Sequence, residues 1–303
     1  MAFRKSALLS LAVATITVPL AIGAVTQWAD VASLRDIRRE AREFLGLPKI
    51  WVTHFNTDAT GYQRQTCPGR DAIVIVTGGQ SNAANSYDAL PRPVDTSGAF
   101  MFLDGNCYAL RSPVLGSTGQ RDSLWPALGA AIHAQTGKPV LFINGAVGGV
   151  QLGDWLDKRS GYFDRLAKQI GLARRHGWSP RFVLWIQGET DAFTLIAPAT
   201  YITQQRTLID RFVKSGLTTN NTRWIIYRST RCKHRRGNGP DIDRAMTEFA
   251  AHSANIVAGP IVSNFDDRYR HDQCHLNTLG RDRLVRESMD TLRPYLAADP
   301  AGT

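Results

Sequence analysis

The sequence predicts a three-layer α/β/α sandwich around a parallel sheet. Three observations carry that expectation. From residue 72 onward, short runs rich in Ile and Val alternate with longer segments whose apolar residues recur at helical spacing. Strands separated by helices imply right-handed crossovers and a parallel sheet covered on both faces. Several of the apolar runs end in glycine-containing turns, where ligands bind in open α/β sheets. The chain has 303 residues and 43% hydrophobic content, enough for one domain of about 230–270 residues with a sizeable core. Gly 26 and Pro 14 are near average, which argues against a large disordered fraction.

Taken in order, residues 1–28 read as a signal peptide or signal anchor. Arg4 and Lys5 precede an uncharged stretch from Ser6 to Trp28, the form of a basic n-region and an apolar h-region. Small residues near Ala21-Ile22-Gly23 offer a cleavage site. The stretch also approaches the ~20 apolar residues that span a bilayer, so a retained anchor with Arg4 and Lys5 in the cytoplasm is the competing expectation. Either reading exports the protein: periplasmic, secreted or membrane-anchored. Residues 29–70 form an N-terminal extension. Val31, Leu34, Ile37, Ala41, Phe44 and Leu45 fit one helix face, and Gly46 with Pro48 ends it. An added strand is expected over 50–55, then a loop over 57–70.

The main domain is expected over 71–297. Strands are predicted over 72–76, 99–103, 139–143, 182–186, 224–227 and 256–262. Helices are predicted over 122–135, 163–175, 201–214 and 245–252, with a last helix marked by Leu284, Val285, Met289, Leu292 and Leu296.

Four stretches should gather at the carboxyl edge of the sheet. The first strand ends in Thr77-Gly78-Gly79-Gln80-Ser81-Asn82. Two glycines permit a sharp turn, and a serine beyond it is a nucleophile if a base reaches it. Residues 144–155, NGAVGGVQLGDW, let a backbone N–H approach a ligand closely. Residues 185–192, WIQGETDA, offer the Gln187 amide and the acids Glu189 and Asp191. Residues 272–275, DQCH, place Asp and His three apart in a turn, where the acid can fix the imidazole tautomer. Alone, each motif is common. Together they are parts for acyl transfer: nucleophile, base, orienting acid and oxyanion donors.

In this order, GQSN, AVGGVQLGDW, WIQGETDA and DQCH resemble the SGNH-hydrolase superfamily, and more closely its sialate O-acetylesterase-like branch of carbohydrate acetyl-esterases. The resemblance covers roughly residues 70–296. It implies a flavodoxin-like sandwich with about five parallel strands. It also implies hydrolysis of acetyl esters on sugars. Ser81 matches the nucleophile, His275 the base and Asp272 its supporting acid. The oxyanion donors are then Ser81, Gly149 and Gln187, where the wider superfamily has an asparagine. Glu189 is a candidate helper acid and the rival of Asp272. Ile186 departs from the aromatic or histidine of many relatives, which bears on the substrate pocket. Residues 232–241 match no part of the pattern. No metal or other cofactor is implied, and the seven histidines show no zinc-site spacing. An acetyltransferase using the same serine, and a non-catalytic glycan-binding module on the same fold, are the alternative functions.

The formal net charge is +10, which favours anionic partners. There is no nucleic-acid-binding motif, and the basic run Arg231 to Arg236 fits an acidic acetylated glycan. The four cysteines, Cys67, Cys107, Cys232 and Cys274, allow two disulfides with three connectivities in an oxidising compartment. Cys232 with Cys274 is the favoured pair, since both should lie in loops at the sheet's carboxyl edge.

Overall fold

The computed structural model describes residues 53–88, 95–232 and 237–297. The expected signal or anchor, the helix over 30–45 and most of the basic run lie outside the described residues. Among those described, no helix is long and apolar enough to cross a membrane.

The described strands are β1 (Arg64–Gln65), β2 (Ile73–Gly79), β3 (Ala99–Leu103), β4 (Asn106–Ala109), β5 (Val140–Asn144), β6 (Phe182–Gly188), β7 (Arg223–Ser229) and β8 (Ile256–Ile261). They form one sheet in the order β1-β4-β3-β5-β2-β6-β7-β8. β3, β5, β2, β6, β7 and β8 are mutually parallel, while β4 runs antiparallel to both β3 and β1. The expectation of about five parallel strands is therefore short. One parallel strand more is present, and the reversed β4, with β1 paired outside it, extends one edge. Asn106-Cys107-Tyr108-Ala109 is too short and mixed to show a strand period. Residues 64–65, read from sequence as loop, pair with it. Of the strand expected over 50–55, only residues 53–55 are described, and Phe55 makes a single bridge to Thr118.

The helices are α1 (Trp125–Thr136), α2 (Tyr162–Arg175), α3 (Glu189–Phe193), α4 (Pro198–Lys214), α5 (Gly239–Ala251) and α6 (Thr278–Leu296). The strands divide their side chains between two faces with period two. Ile73, Ile75, Phe182, Leu184 and Ile186 join a buried cluster with Leu128 and Ile132 of α1 and Leu284 and Leu292 of α6. On the opposite face, Trp185 meets Trp155 at 4.8 Å, Trp224 at 5.9 Å and Phe212 of α4 at 6.4 Å between ring centroids. Phe163 of α2 meets Phe212 at 5.1 Å. Each such side chain contributes about 1.5–3 kcal/mol when fully buried. The architecture is the α/β/α sandwich expected. Ile186, expected to bear on a substrate pocket, is instead fully buried in the first cluster.

β2 lies at the centre, between β5 and β6, and its two glycines permit that packing. A β-carbon on Gly78 would lie 2.1 Å from the Trp185 ring. Gly79 has φ +111°, and its β-carbon would lie 2.0 Å from the Ile186 carbonyl oxygen. Gln80 N–H donates to that same carbonyl at 2.8 Å, the last bond to β6 before the chain turns away.

Behind the strand ends, Asp191 of α3 ties the end of β6 to the segment after β5. Its Oδ1 accepts from Leu152 N–H at 2.9 Å and its Oδ2 from the Gln187 amide at 2.7 Å. Asp191 is fully buried. Burial pushes its carboxyl up to about 7, against these two hydrogen bonds and with help from the nearby Asp154 and Glu189 charges.

Two outcomes follow. Gly79→Ala should cost about 3 kcal/mol, from the backbone clash and the positive φ, and lower Tm by roughly 6–12 °C. Gly61→Ala is the control, because Gly61 has φ +78° but nothing within 4 Å of its β-carbon; it should cost only about 1–2 kcal/mol. Equal losses in thermal melts would contradict this account of Gly79. For Asp191, the folded-state value lies above the unfolded ~3.9. Its contribution is therefore fully present below pH ~4 and is lost as pH rises towards 7, by an amount of order 4 kcal/mol. Urea melts should show Asp191→Asn gaining on the wild type between pH 4 and 8. A gap that is constant with pH would contradict the shift.

Candidate active site

Ser81 opens a single 3₁₀ turn, Ser81–Ala83, immediately beyond β2. The carbonyls of that turn are all held. Ser81 O accepts from Ala84 N at 2.9 Å and Ser86 Oγ at 2.5 Å. Asn82 O accepts from Tyr87 Oη at 3.0 Å, and Ala83 O from Trp125 Nε1 at 2.7 Å. The turn is thus fixed from three sides, while Ser81 keeps 9% of its surface exposed. The loop after β5 comes alongside. Val147 N donates to Gly79 O at 3.0 Å, and Gly148 N to Thr118 Oγ1 at 2.8 Å. A β-carbon on Gly148 would lie only 3.8 Å from the Ser81 β-carbon. The exposed Gly149 follows at φ +73°, a conformation that favours glycine.

His275 and Asp272 sit in the loop before α6. Gln273 adopts φ +65°, which turns the chain back on itself. Asp272 Oδ2 meets His275 Nδ1 at 2.7 Å. Its Oδ1 accepts from the backbone N–H groups of Cys274 at 3.0 Å and His275 at 2.7 Å. Burial works against ionisation of Asp272, but its hydrogen bonds and its attraction to His275, with the His271 field, outweigh it and hold the carboxyl well below the usual carboxylate range. A carboxylate only accepts, so it selects the Nδ1–H tautomer and leaves Nε2 as the basic nitrogen.

Two bridges join this loop to the Ser81 turn. Asn82 Nδ2 donates to Cys274 O at 3.3 Å, and Asn82 Oδ1 accepts from Leu276 N at 3.2 Å. These are the residues on either side of His275. His271 Nε2 lies 3.1 Å from Ser86 O, and Ser86 is the residue whose hydroxyl holds Ser81 O. The Cys232–Cys274 disulfide, the pair favoured from the sequence, holds the base loop at the same point. Cys67–Cys107 is the other disulfide.

The structure therefore brings Ser81, Gly149, Asp272 and His275 to one edge. Gln187 and Glu189 are placed differently. Gln187 is 1% exposed, and its amide nitrogen faces Gln80 Oε1 at 3.0 Å, Val150 O at 2.8 Å and Asp191 Oδ2 at 2.7 Å. Three protein acceptors compete for two hydrogens, so in this geometry Gln187 braces the floor of the site and does not face an oxyanion. Asp272, not Glu189, is the acid bonded to His275 Nδ1; Glu189 Oε1 accepts from Asn82 Nδ2 and Ser229 Oγ, each at 2.6 Å. Sequence reasoning assigned no role to Asn82, Gln80, Ser229 or Arg270. Two of them stand inside GQSN beside Ser81, and that adjacency was the available signal. His271, Asp272 and His275 could each offer a metal one ligand atom, all within 4.8 Å. Their closeness is already explained by the Asp272–His275 hydrogen bond.

Comparison with known proteins gives the family. Residues 126–291 match the model of a family described as carbohydrate esterase, sialic acid-specific acetylesterase. Asp272 and His275 lie inside that span, whereas Ser81 lies before it and rests on its position in the fold. A protein from Arabidopsis thaliana has a similar structure, with 18% identity and TM-score 0.61 over 75% of this chain and 98% of that one. NanS aligns at 13% identity and TM-score 0.54, over 76% of this chain and 100% of its own. A carbohydrate acetylesterase from Xanthomonas citri aligns at 14% identity and TM-score 0.50, covering 73% of this chain and 56% of that one. At these identities the structures show the shared fold. No curated protein sequence matches the chain. The family match spans more than half of the sequence, and the chain belongs to the carbohydrate esterase, sialic acid-specific acetylesterase family.

Proposed function

We propose that the protein is a serine esterase that removes O-acetyl groups from a carbohydrate through an acetyl-serine intermediate. One observation carries the reading: an Asp272–His275 pair at 2.7 Å is held on the turn that presents Ser81. His275 Nε2 takes the Ser81 proton as Oγ attacks the acetyl carbonyl. The carbonyl π pair moves to oxygen, where the backbone N–H groups of Ser81 and Gly149 receive it. Each such donor is worth about 3 kcal/mol in transition-state stabilisation. Collapse expels the sugar oxygen, which takes the proton from His275. Water then attacks the acetyl-serine by the same route in reverse roles, and acetate leaves. Asp272 stays ionised throughout and stabilises the imidazolium.

The two disulfides support function in an oxidising compartment, in keeping with an exported protein. The charge of +10 supports an acidic acetylated glycan as substrate. Of the basic run, Arg231 is described, and it pairs with Asp267 at 2.8 Å on the surface.

Ser81→Ala should stay folded and lose p-nitrophenyl acetate hydrolysis by about 10⁴-fold or more. Near-normal turnover would remove Ser81 as nucleophile. Asp272→Asn should lower kcat by about 10⁴-fold on the same ester; a loss below tenfold would mean another group orients His275. For the substrate class, release of acetate from an acetylated acidic glycan should fall more steeply with salt than release from a neutral one, because screening acts on long-range charge attraction. Parallel salt curves would count against an acidic substrate.

A further inference from the structure

Glu189 is a buried carboxyl that the acyl-transfer steps leave without a task. It is 1% exposed, and Asn82 and Ser229, which donate to its Oε1, are fully buried. Asn82 is also the residue that holds the backbone on both sides of His275. We propose that Glu189 is a positioning residue that acts on catalysis only through Asn82, by fixing which end of the Asn82 amide faces the His275 loop.

The chemistry of an amide makes this necessary. The two ends of an asparagine side chain are nearly the same shape but opposite in hydrogen-bonding sense. In the observed orientation Nδ2 faces Glu189 Oε1 and Cys274 O, and Oδ1 faces Leu276 N–H. Rotated by half a turn, the amide would set Oδ1 against two acceptors and Nδ2 against a donor, breaking all three contacts. Glu189 Oε1 already accepts from Ser229 Oγ at 2.6 Å, so the oxygen it turns to Asn82 is an acceptor. Glu189 therefore selects the orientation that grips residues 274 and 276. A glutamine in its place can present either end and loses that selectivity.

Charge balance supports the same assignment. Burial pushes the Glu189 carboxyl up, while the bonds from Ser229 and Asn82 and the positive field of Arg270 oppose the rise. Arg270 is itself buried. Its Nε donates to Phe265 O at 3.0 Å, its Nη2 to Val262 O at 2.8 Å, and its Nη1 to Cys274 O. Asn82 and Arg270 thus converge on one carbonyl, next to the base. A displacement of about 1 Å at a reacting group can cost 10²-fold in rate. Asp272 and His275 share one turn and would move together, so a loosened clamp alters the distance to Ser81 while leaving the Asp272–His275 bond made.

The inference rests on His275 being the base of the esterase reaction. The test uses Glu189→Gln, Asn82→Ala and the double variant in the full chain, with p-nitrophenyl acetate as substrate. Each single change should lower kcat by about 10- to 100-fold with KM within about twofold and the acidic limb of the pH–rate profile unmoved. The double variant should be no slower than Asn82→Ala alone, since both changes cut one path. Titration of Ser81 with a phosphonate should label every molecule, only more slowly. Hydrogen exchange at the Leu276 amide should quicken about tenfold or more in both single variants. Multiplying losses in the double variant, a shifted acidic limb in Glu189→Gln, partial labelling at normal per-site rate, or unchanged Leu276 exchange would each overturn the proposal. Glu189→Gln and Asn82→Ala probe the link from its two ends, so a folding failure of one leaves the other to decide. The exchange measurement needs no turnover: an inactive wild type would sink the esterase reading, while Leu276 would still report on the clamp.

Discussion

In the proposed reaction a nucleophile and a base far apart in the sequence must be held in register, and the contact between their two loops runs through Asn82. It follows Ser81 directly, and its side chain reaches residues 274 and 276 across 192 and 194 positions of sequence. The sheet makes the meeting possible. β2 is central, its glycines let it pack against β6, and the chain leaves it in a turn whose carbonyls are all bonded. α6 then returns the C-terminal segment to the same face as α1, where Arg281 pairs with the buried Asp122 at 2.6 Å. Fixing the backbone and side chains in one arrangement costs conformational entropy at every ordered residue. The hydrogen bonds of Asn82 make that ordering specific.

Three carboxyls near this edge show how the environment divides one functional group among several tasks. Asp272 is partly exposed and is held low by His275 and the backbone N–H groups of its own turn. Asp191, fully buried with two donors, is pushed up to about 7 and serves the loops behind the site. Glu189, buried against Asn82, Ser229 and the field of Arg270, is raised. Of the three, only the carboxyl beside the imidazole is held below the usual carboxylate range, as its proposed task of stabilising an imidazolium requires.

The parallel strands were legible because buried strands read as short Ile- and Val-rich runs, and Ile73–Gly79, Val140–Asn144 and Phe182–Gly188 are such runs. β1 and β4 were not, because two and four residues of mixed polarity show no period. α5 begins at Gly239, earlier than the expected 245: Pro240 stands in its first turn, and its buried stripe already begins at Ile242. In the site, Asp272 with His275 was legible because a separation of three in a turn is local geometry. The engagement of Gln187 was not: its partners Gln80, Val150 and Asp191 include two brought in by the sheet. Ile186 likewise read as a pocket residue from its neighbours in sequence, but strand alternation turns it into the core.

The account's central claim is that Ser81 carries the acetyl group between the sugar and water. Its most direct test is acid quench of the full chain during turnover of p-nitrophenyl acetate, followed by peptide mass spectrometry. The account predicts one acetyl group on the peptide containing Ser81, formed at the rate of the initial burst and lost at the rate of turnover, and absent in Ser81→Ala. Steady turnover with no acetylated peptide, or an acetyl group carried by another residue, would contradict it.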